Sequence, residues 1–221
     1  MKVLITGFDP FGGESINPAF ESIRLLPDRI DTAAGRVDIV KAEIPTEFGR
    51  SVEQLKTLIA QHRPDVVLCI GQAGGRAGIT PERVAINIDD ARIPDNAGSQ
   101  PIDRPIVPDA PNAYFATVPI KAMVQAITDA GLPSSVSNSA GTYVCNHVMY
   151  GLLHHLASEF DAMQAPVRGG FLHVPYCTSQ VADRPGVPHL SLAEIARGLE
   201  IAIRVCAETT DDIAAAYGAI D

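Results

Sequence analysis

A cysteine in the stretch SNSAGTYVCNH, residues 137–147, stands where a helical pattern begins. A thiol at the start of a helix lies near free backbone N–H groups and the positive end of the helix dipole. This environment favours the thiolate, which is the form that attacks carbonyl carbon. Cys145 is therefore a candidate nucleophile, although its position is equally typical of a buried residue in the first turn of a helix.

A nucleophilic thiol needs a base within hydrogen-bond reach. His173 lies in GFLHVPY, near the end of a predicted apolar strand. The carboxyl ends of parallel strands gather at one edge of a sheet, and the strand predicted before Cys145 ends at that edge too. His173 can therefore meet Cys145 in space, unless it is a strand histidine with a structural role. The remaining histidines are placed less well for this chemistry: His62, His147, His154, His155 and His189.

A carboxylate that orients the base is the expected third member of such a site. The stretch GQAGGRAGITPERVAINIDDARIP, residues 71–94, offers Glu82, Asp89 and Asp90. Glu82 follows a proline at the mouth of a predicted strand, where it could bond the far nitrogen of an imidazole. An exposed carboxylate at a strand end is the alternative, and spacing alone does not choose among the three.

A glycine-rich segment, GFDPFGG at residues 7–13, follows the first predicted strand. It has neither the lysine of a Walker loop nor the GxGxxG spacing of a dinucleotide site. Phe8 and Phe11 occupy the segment instead, and aromatic side chains at a strand end suit a flat, uncharged ligand better than a phosphate. Packing of one of the two rings in the core is the alternative.

The elements that must position these residues alternate between strands and helices, which predicts a mostly parallel, twisted sheet covered by helices on both faces. The predicted strands cover residues 2–6, 37–44, 65–71, 83–88, 134–140 and 170–175. The predicted helices cover residues 47–62, 119–131, 145–160 and 191–209, the last beginning with a capping box at Ser191 and Glu194. Residues 93–119 carry six prolines, which indicates a functional or interface excursion or, alternatively, a plain surface loop.

Composition limits the class of protein. The chain has 221 residues, 46% of them hydrophobic, which fits one α/β domain over residues 1–221. We expect a cytoplasmic location, because no apolar run approaches the roughly 18 residues that span a bilayer and the apolar start is too short for a signal peptide. With a net charge of −9 and no basic cluster, nucleic acid is not an expected partner. The four cysteines form no CxxC pair, so a zinc site is not expected.

Three segments carry a resemblance to a known family: TGFDPFGGESINP, GQAGGRAGITPERVAINIDDARIPDNAG, and SNSAGTYVCNH together with FLHVPY. The chain resembles the type I pyroglutamyl peptidases, cysteine peptidases that remove an N-terminal pyroglutamate from peptides. The resemblance implies a three-layer α/β/α fold, a homotetramer, and no metal or organic cofactor. It also assigns Cys145 as nucleophile, His173 as base and Glu82, rather than its acidic neighbours, as orienting acid.

The resemblance also implies a substrate pocket. Phe8 and Phe11 would sandwich the five-membered lactam ring, and Gln72 would hydrogen-bond it. Arg92 and the backbone N–H of Cys145 would support the oxyanion. The wall of the pocket would be lined by Asn17, Thr46, Ile93, Tyr143 and Val144, with a tyrosine at position 143 where many members have phenylalanine.

Two other functions remain open from the residues alone. A nucleoside phosphorylase-like transferase has a similar architecture, but it needs basic phosphate ligands, for which Arg76 and Arg92 are the candidates. A non-catalytic protein that binds a small molecule would retain the pocket without needing a triad, yet Cys145, His173 and Glu82 are all present.

Overall fold

A computed structural model describes residues 1–158 and 166–218. Its principal strands are β1 (Lys2–Phe8), β2 (Arg29–Thr32), β3 (Gly35–Ile44), β4 (Val66–Gln72), β5 (Thr80–Pro81), β6 (Val84–Ile86), β7 (Ala113–Phe115), β8 (Arg168–Val174), β9 (Tyr176–Cys177) and β10 (His189–Leu190). The helices are α1 (Pro18–Arg24), α2 (Arg50–His62), α3 (Ile120–Asp129), α4 (Val144–Ser158) and α5 (Leu192–Glu208), with a short 3₁₀ turn at Thr178–Val181.

Six strands form the central sheet in the order β2-β3-β1-β4-β8-β5. The four inner strands β3, β1, β4 and β8 are parallel, and the edge strands β2 and β5 run antiparallel to their neighbours. The carboxyl ends of β1, β4 and β8 therefore meet at one edge, at Phe8, Gln72 and Val174. This arrangement confirms the predicted α/β class with a mostly parallel sheet.

Alternate residues of the strands serve two separate hydrophobic cores, as the pleat of a strand requires. On β1, Val3 and Ile5 pack in the core that contains α1, α3 and α5, whereas Leu4 packs in the core that contains α2 and α4. Contacts of α5 with α1 and α3, and of α2 with α4, separate the helices into the same two groups. Helices thus cover both faces, which gives the three layers expected.

The helix predicted over residues 191–209 shows how local sequence fixes an element. Ser191 Oγ accepts the N–H of Glu194, and the Glu194 carboxylate accepts the N–H of Ser191 over 2.8 Å. This capping box satisfies two amide groups that the first turn leaves free. Helix α5 begins at Leu192, directly after the capping residue Ser191, in agreement with the prediction.

Two predicted strands differ from the structure. Residues 134–140 form no strand, only single bridges from Ser134 to Ile79 and from Ser137 to Glu82. Serine side chains there bond to their own loop, for example Ser137 Oγ to the Ser139 carbonyl, and so compete with strand pairing. Residues 83–88 contribute only β6, which pairs with β7 in a separate two-stranded sheet because the 93–119 excursion returns beside it.

Other boundaries also depended on distant contacts. The short helix α1 and the edge strand β2 were not predicted. The helix predicted over residues 145–160 is α4, which begins at Val144, and its predicted last two residues lie outside the described residues. Among the described residues, no helix combines the length and apolar character required to cross a bilayer.

Candidate active site

The proposed nucleophile lies in the first turn of α4, against the carboxyl end of β4. Cys145 is the second residue of the helix and is half-buried. Its Sγ packs so closely on Gly71 that a Cβ at that position would lie 2.9 Å from the sulfur. Gly71 in turn pairs with His173 in the register between β4 and β8. The absence of a side chain at Gly71 therefore lets the thiol approach the strand pair that carries the predicted base.

The imidazole of His173 is held by a buried carboxylate. Its Nδ1 lies 2.7 Å from Oε1 of Glu82, which is fully buried, while His173 itself is 4% exposed. Because an ionised carboxylate only accepts, Nδ1 carries the proton and Nε2 presents its lone pair. In the described part of the chain, Nε2 and the Cys145 sulfur have no hydrogen-bond partner. Both residues therefore lie at the β4–β8 pair, with the Cys145 sulfur against Gly71 and His173 opposite that glycine, and no hydrogen bond joins them.

The guanidinium of Arg76, which the sequence suggested only as a phosphate ligand, also contacts Glu82. Nη1 of Arg76 donates to Glu82 Oε1 over 2.6 Å, and Nη2 donates to the Ser139 carbonyl over 3.2 Å. The arginine lies six positions from Glu82 across a turn, a spacing for which no periodic signal exists. The structure therefore places the charge of Arg76 next to Glu82, one of the three predicted catalytic residues.

Burial and charge together set the protonation of the three groups. Burial raises the pKa of Glu82, but the hydrogen bond and charge of His173 and the charge of Arg76 bring the net pKa below its ordinary value. Burial lowers the pKa of His173 more strongly than Glu82 raises it. Burial, with the Glu82 carboxylate, raises the pKa of Cys145 to about 12. Burial thus acts against the thiolate that the helix start favours, and it also acts against protonation of the imidazole.

A cavity of about 260 Å³ opens beside Cys145. Its walls include six of the eight residues predicted to bind substrate, together with Arg92 of the predicted oxyanion support. The lining residues are Phe8, Phe11, Thr46, Gln72, Asp90, Arg92, Ile93, Thr142, Tyr143 and Cys145. Asp90 and Thr142 were not predicted to lie there. Within residues 1–158 and 166–218 the Cys145 N–H donates to no acceptor, so it is available to a bound group beside the sulfur.

Comparison with known proteins decides the family. The family model for pyroglutamyl peptidase matches residues 1–209. The chain belongs to the pyroglutamyl peptidase family. It is 56% identical to a pyrrolidone-carboxylate peptidase of Clostridium botulinum over the full length of both chains, and 55% identical to pyrrolidone-carboxylate peptidase 1 of Streptococcus pneumoniae over 96% of this chain and 95% of that one. These matches confirm the predicted family and the predicted enzyme class, a pyroglutamyl peptidase.

Solved structures of the family share the fold. The pyroglutamyl peptidase I of Bacillus amyloliquefaciens superposes with a TM-score of 0.89 at 44% identity, covering 96% of this chain and 99% of that chain. A mutant pyrrolidone carboxyl peptidase of Pyrococcus furiosus gives a TM-score of 0.86 at 41% identity, covering 94% and 99%. The three-layer architecture of the family is therefore also that of this chain.

Two residues predicted to bind substrate lie outside the cavity lining of this pyroglutamyl peptidase. Asn17 caps α1, accepting the N–H of Ala19, and its amide donates to the Asp9 carbonyl over 3.0 Å. Val144 is fully buried in the core beneath α4. Their side chains support the loop at Asp9 and the start of the helix, so a direct role in binding remains a prediction.

The orientation of Gln72 is fixed by a residue that the sequence did not reveal. The buried Gln180 accepts the N–H of Cys177 with Oε1, and its Nε2 donates to Gln72 Oε1 over 3.0 Å. Gln72 therefore turns its own NH₂ group away from that bond, with donors to spare. Gln180 lies 108 positions from Gln72 in the 3₁₀ turn, which is why no local pattern indicated it.

The tyrosine that departs from the family pattern uses its hydroxyl within the protein. The Tyr143 O–H donates to the Pro94 carbonyl over 3.0 Å, and burial raises the pKa of the phenol to about 12. Its ring centroid lies 6.3 Å from that of Phe11 and meets Phe48 edge-on at 5.5 Å. The hydroxyl thus anchors the start of the 93–119 segment, and the ring contributes to the cavity wall.

In the described part of the chain, no three His, Cys, Asp or Glu side chains are grouped as a metal ion requires. The charged groups at the reacting centre are instead Glu82 and Arg76, which neutralise each other. The arrangement offers a thiol, an oriented neutral base and free N–H donors beside an apolar cavity. These are the parts of an acyl-transfer site.

Proposed function

We propose that this chain is a cysteine exopeptidase that hydrolyses the N-terminal pyroglutamyl residue of peptides. Cys145 is the nucleophile, His173 the general base and Glu82 the orienting acid. The observation that carries the proposal is the buried bond from Glu82 to His173 beside the Cys145 thiol, at the edge of a cavity lined by two phenylalanines. The family membership supports the same assignment.

Acylation begins with proton transfer. His173 Nε2 takes the proton of the Cys145 thiol as the sulfur attacks the carbonyl carbon of the pyroglutamyl residue. The resulting imidazolium is stabilised by the Glu82 carboxylate, as in other triads. The carbonyl oxygen becomes an oxyanion, which the Cys145 N–H and Arg92 support.

Collapse of the tetrahedral intermediate breaks the peptide C–N bond. The imidazolium of His173 gives its proton to the leaving amine, so the peptide departs with a free N-terminus and a thioester remains on Cys145. A water molecule then attacks the thioester while His173 accepts its proton. The C–S bond then breaks as His173 returns the proton to the sulfur, which regenerates the thiol and releases pyroglutamate.

Recognition of the lactam ring explains the preference for a blocked terminus. The ring is apolar on its two faces and polar at its amide edge, and it carries no charge. Phe8 and Phe11 cover the faces, while the Gln72 NH₂ group, oriented by Gln180, donates to the ring carbonyl. The cavity of about 260 Å³ lies at the small end of ligand sites and suits a single ring rather than a longer peptide.

A pair of chromogenic amides tests this function. Pyroglutamyl and prolyl amides have rings of one size, but the prolyl ring lacks the carbonyl that Gln72 binds. Sites built to hydrogen-bond a substrate group reject an analogue without it by roughly 10⁴-fold, so kcat/KM should favour the pyroglutamyl amide by about that factor. Gln72→Ala should narrow the gap, and Phe8→Ala should weaken binding in a folded protein.

Leu25→Ala is the control, because this apolar side chain is 57% exposed and does not line the cavity. It should leave kcat/KM for both amides unchanged. Equal efficiency of the wild type on the two amides would refute lactam recognition. Full activity of Cys145→Ala would refute the nucleophile.

The phosphorylase-like alternative has less support. Of its two candidate phosphate ligands, Arg76 is already paired with the Glu82 carboxylate, which neutralises the charge that phosphate binding needs. Turnover that depends on phosphate would favour it nevertheless. A non-catalytic binding protein would leave the buried Glu82–His173 pair beside a free thiol without a purpose.

We also propose a cytoplasmic homotetramer whose subunit contacts involve the 93–119 segment. The family resemblance implies the tetramer, and the exposed apolar side chains Ile102 and Phe115 of this segment, 69% and 68% exposed, support a contact there. All four cysteines are free, as is usual in a reducing compartment. Sedimentation at micromolar concentration should show a species larger than a monomer, and a fully active monomer would contradict the assembly.

A further inference from the structure

The loop between β4 and β5 holds a cation that the proposed mechanism does not use. Arg76 Nη1 donates to Oε1 of Glu82, the same oxygen that accepts the Nδ1–H of His173. The other carboxylate oxygen, Oε2, has no hydrogen-bond partner among the described residues although it is buried. The cation and the imidazole therefore converge on a single atom.

Arg76 also joins the chain segments on both sides of the site. It donates to Thr80 Oγ1 at the start of β5 and to the carbonyl of Ser139, in the loop that leads to Cys145. The turn that leads into Arg76, closed by the hydrogen bond from its N–H to the Ala73 carbonyl, passes through Gly75, whose φ of +90° favours glycine. One guanidinium thus ties together the segments that carry the acid and the nucleophile.

We propose that Arg76 is a positioning residue that keeps Glu82 ionised and aimed at the imidazole of His173. The proposal rests on the assignment of Cys145, His173 and Glu82 as the catalytic groups. Arg76 touches neither the sulfur nor the imidazole by a hydrogen bond, so it acts through Glu82.

The charge balance of the buried cluster supports this role. A fully buried carboxylate needs a compensating positive charge, and without Arg76 a protonated His173 would be the nearest source. An imidazolium at rest has no lone pair with which to accept the thiol proton. With Arg76 in place the carboxylate is neutralised by the arginine, and the imidazole stays neutral. Accordingly, Arg76 lowers the pKa of Glu82, of His173 and of Cys145.

Other groups near Glu82 are few in the described residues. His173 approaches from β8, Cys145 lies at the start of α4, and Arg76 comes from the loop after β4. The Ser137 hydroxyl also lowers the pKa of Glu82, although its own hydrogen bond goes to the Ser139 carbonyl. Arg76 is therefore the one permanent cation in this group, since its guanidinium does not titrate in the working pH range.

An open groove of about 520 Å³ runs past the arginine. Arg76, Thr80 and Ser137 are among the residues that line it. The side chain of Arg76 is 28% exposed, so its removal would leave a space beside Glu82 that connects with solvent. A free guanidinium ion has the planar shape and the charge to enter that space.

The experiment compares Arg76→Ala with Arg83→Ala. Arg83 is one residue from Glu82, but its Nε donates to Asn138 Oδ1 over 2.8 Å instead. For Arg76→Ala we expect the acid limb of kcat/KM on a pyroglutamyl amide to move upward by about one pH unit, because both Glu82 and His173 then hold protons more tightly. Millimolar guanidinium should restore much of the lost activity. Arg83→Ala should keep the wild-type pH profile and show no response to guanidinium.

Alkylation of Cys145 by iodoacetamide supplies a readout that does not depend on peptidase activity. It should become slower in Arg76→Ala at neutral pH, even if the amide proves to be the wrong substrate. A folded Arg76→Ala whose acid limb and alkylation rate match those of Arg83→Ala would overturn the proposal. If Arg76→Ala does not fold, Arg76→Gln takes its place in the same comparison, and Arg76→Lys should show a smaller shift than either.

Discussion

Two histidines in this protein lie beside buried carboxylates, yet their second ring nitrogens have different surroundings. His173 bonds to Glu82 over 2.7 Å, and His147 bonds to Asp89 over 2.8 Å, in both cases through Nδ1. Nε2 of His147 accepts the N–H of Gly49 over 2.9 Å, whereas Nε2 of His173 has no hydrogen-bond partner in the described residues. In the His147–Asp89 pair both ring nitrogens are bonded, whereas in the His173–Glu82 pair Nε2 is left free to accept a proton.

The His147 pair connects segments that are far apart in the chain. Asp89 exchanges two backbone hydrogen bonds with Arg104, within the 93–119 segment, and Gly49 directly precedes α2. The ring of Phe48 meets that of His147 edge-on at 5.4 Å. This imidazole therefore joins α4, the start of α2 and the loop at Asp89, and both of its ring nitrogens are hydrogen-bonded.

The carboxylates differ as well. Glu82 forms an ion pair with Arg76, whereas Asp89 forms none with a lysine or arginine among the residues that the structure describes. Each carboxylate leaves one buried oxygen without a hydrogen bond. A bond between imidazole and carboxylate is thus insufficient to identify a base, and the proposal of His173 as the base rests on its free nitrogen and on the position of Cys145 beside Gly71.

The largest expected effect separates the two histidines by activity. His173→Ala should reduce kcat by roughly 10⁵-fold, because it removes the base that serves both half-reactions. The ring of His147 contacts Phe48, and Phe48 in turn contacts Tyr143 of the cavity wall. Because this contact with the cavity is indirect, His147→Ala should reduce kcat of the folded protein by less than about tenfold. Steady-state kinetics on folded samples would check both, and equal losses would show that His173 is not the base.

A smaller effect separates the two carboxylates. Glu82→Gln keeps the shape of the side chain but loses the charge that stabilises the imidazolium, and we expect kcat to fall by roughly 10³-fold. Asp89→Asn should change kcat little, because its histidine does not accept a proton from the thiol. The comparison fails if Asp89→Asn proves the more damaging of the two.

For the free energy of unfolding we expect the reverse order, with the larger loss at the His147–Asp89 pair. His147→Ala leaves the Asp89 carboxylate and the Gly49 N–H without partners, at a cost of about 1–3 kcal/mol for each group. Urea unfolding should therefore show a larger loss for His147→Ala than for Cys145→Ala, which removes no hydrogen bond. An unchanged urea midpoint for His147→Ala would contradict the structural role of this pair.

The smallest effect concerns pH. The pKa of His173 is lowered on folding, so the free base persists, and the acid limb of kcat/KM should lie below the ordinary value of about 6.5. Glu82 and His173 both have a lower pKa in the folded chain than in the unfolded chain, so the unfolded chain binds their protons more readily. The contribution of each group to stability is therefore complete above its ordinary pKa and declines as the pH falls below that value. Unfolding measured across this range should show decreasing stability on acidification, and a rise would contradict these shifts.

Local patterns determined much of this protein. The helix start at Cys145, the apolar strand that carries His173 and the capping box of α5 each depend on a few neighbouring residues, and all three were predicted correctly as elements. The alternation of strands and helices predicted the sheet class for the same reason. The prediction that Cys145 approaches His173 at the carboxyl edge used a strand over residues 134–140 that does not form, and it is the first turn of α4 that sets Cys145 against the end of β4.

Only the tertiary structure decided which polar groups meet there. By spacing, Glu82, Asp89 and Asp90 were equivalent as acids, and resemblance alone had favoured Glu82. Whether an imidazole is free or bonded depends on Gly49, which lies 98 positions from His147.

The pairing of Arg76 with Glu82 and of Gln180 with Gln72 likewise depends on loops that return from distant parts of the chain. The same is true of the pKa of Cys145, which burial in the assembled fold raises. The periodicity of apolar residues in the sequence indicates which face of a helix or strand is buried. Hydrogen bonds between loops follow no such periodicity, and the burial of a single side chain depends on the assembled molecule.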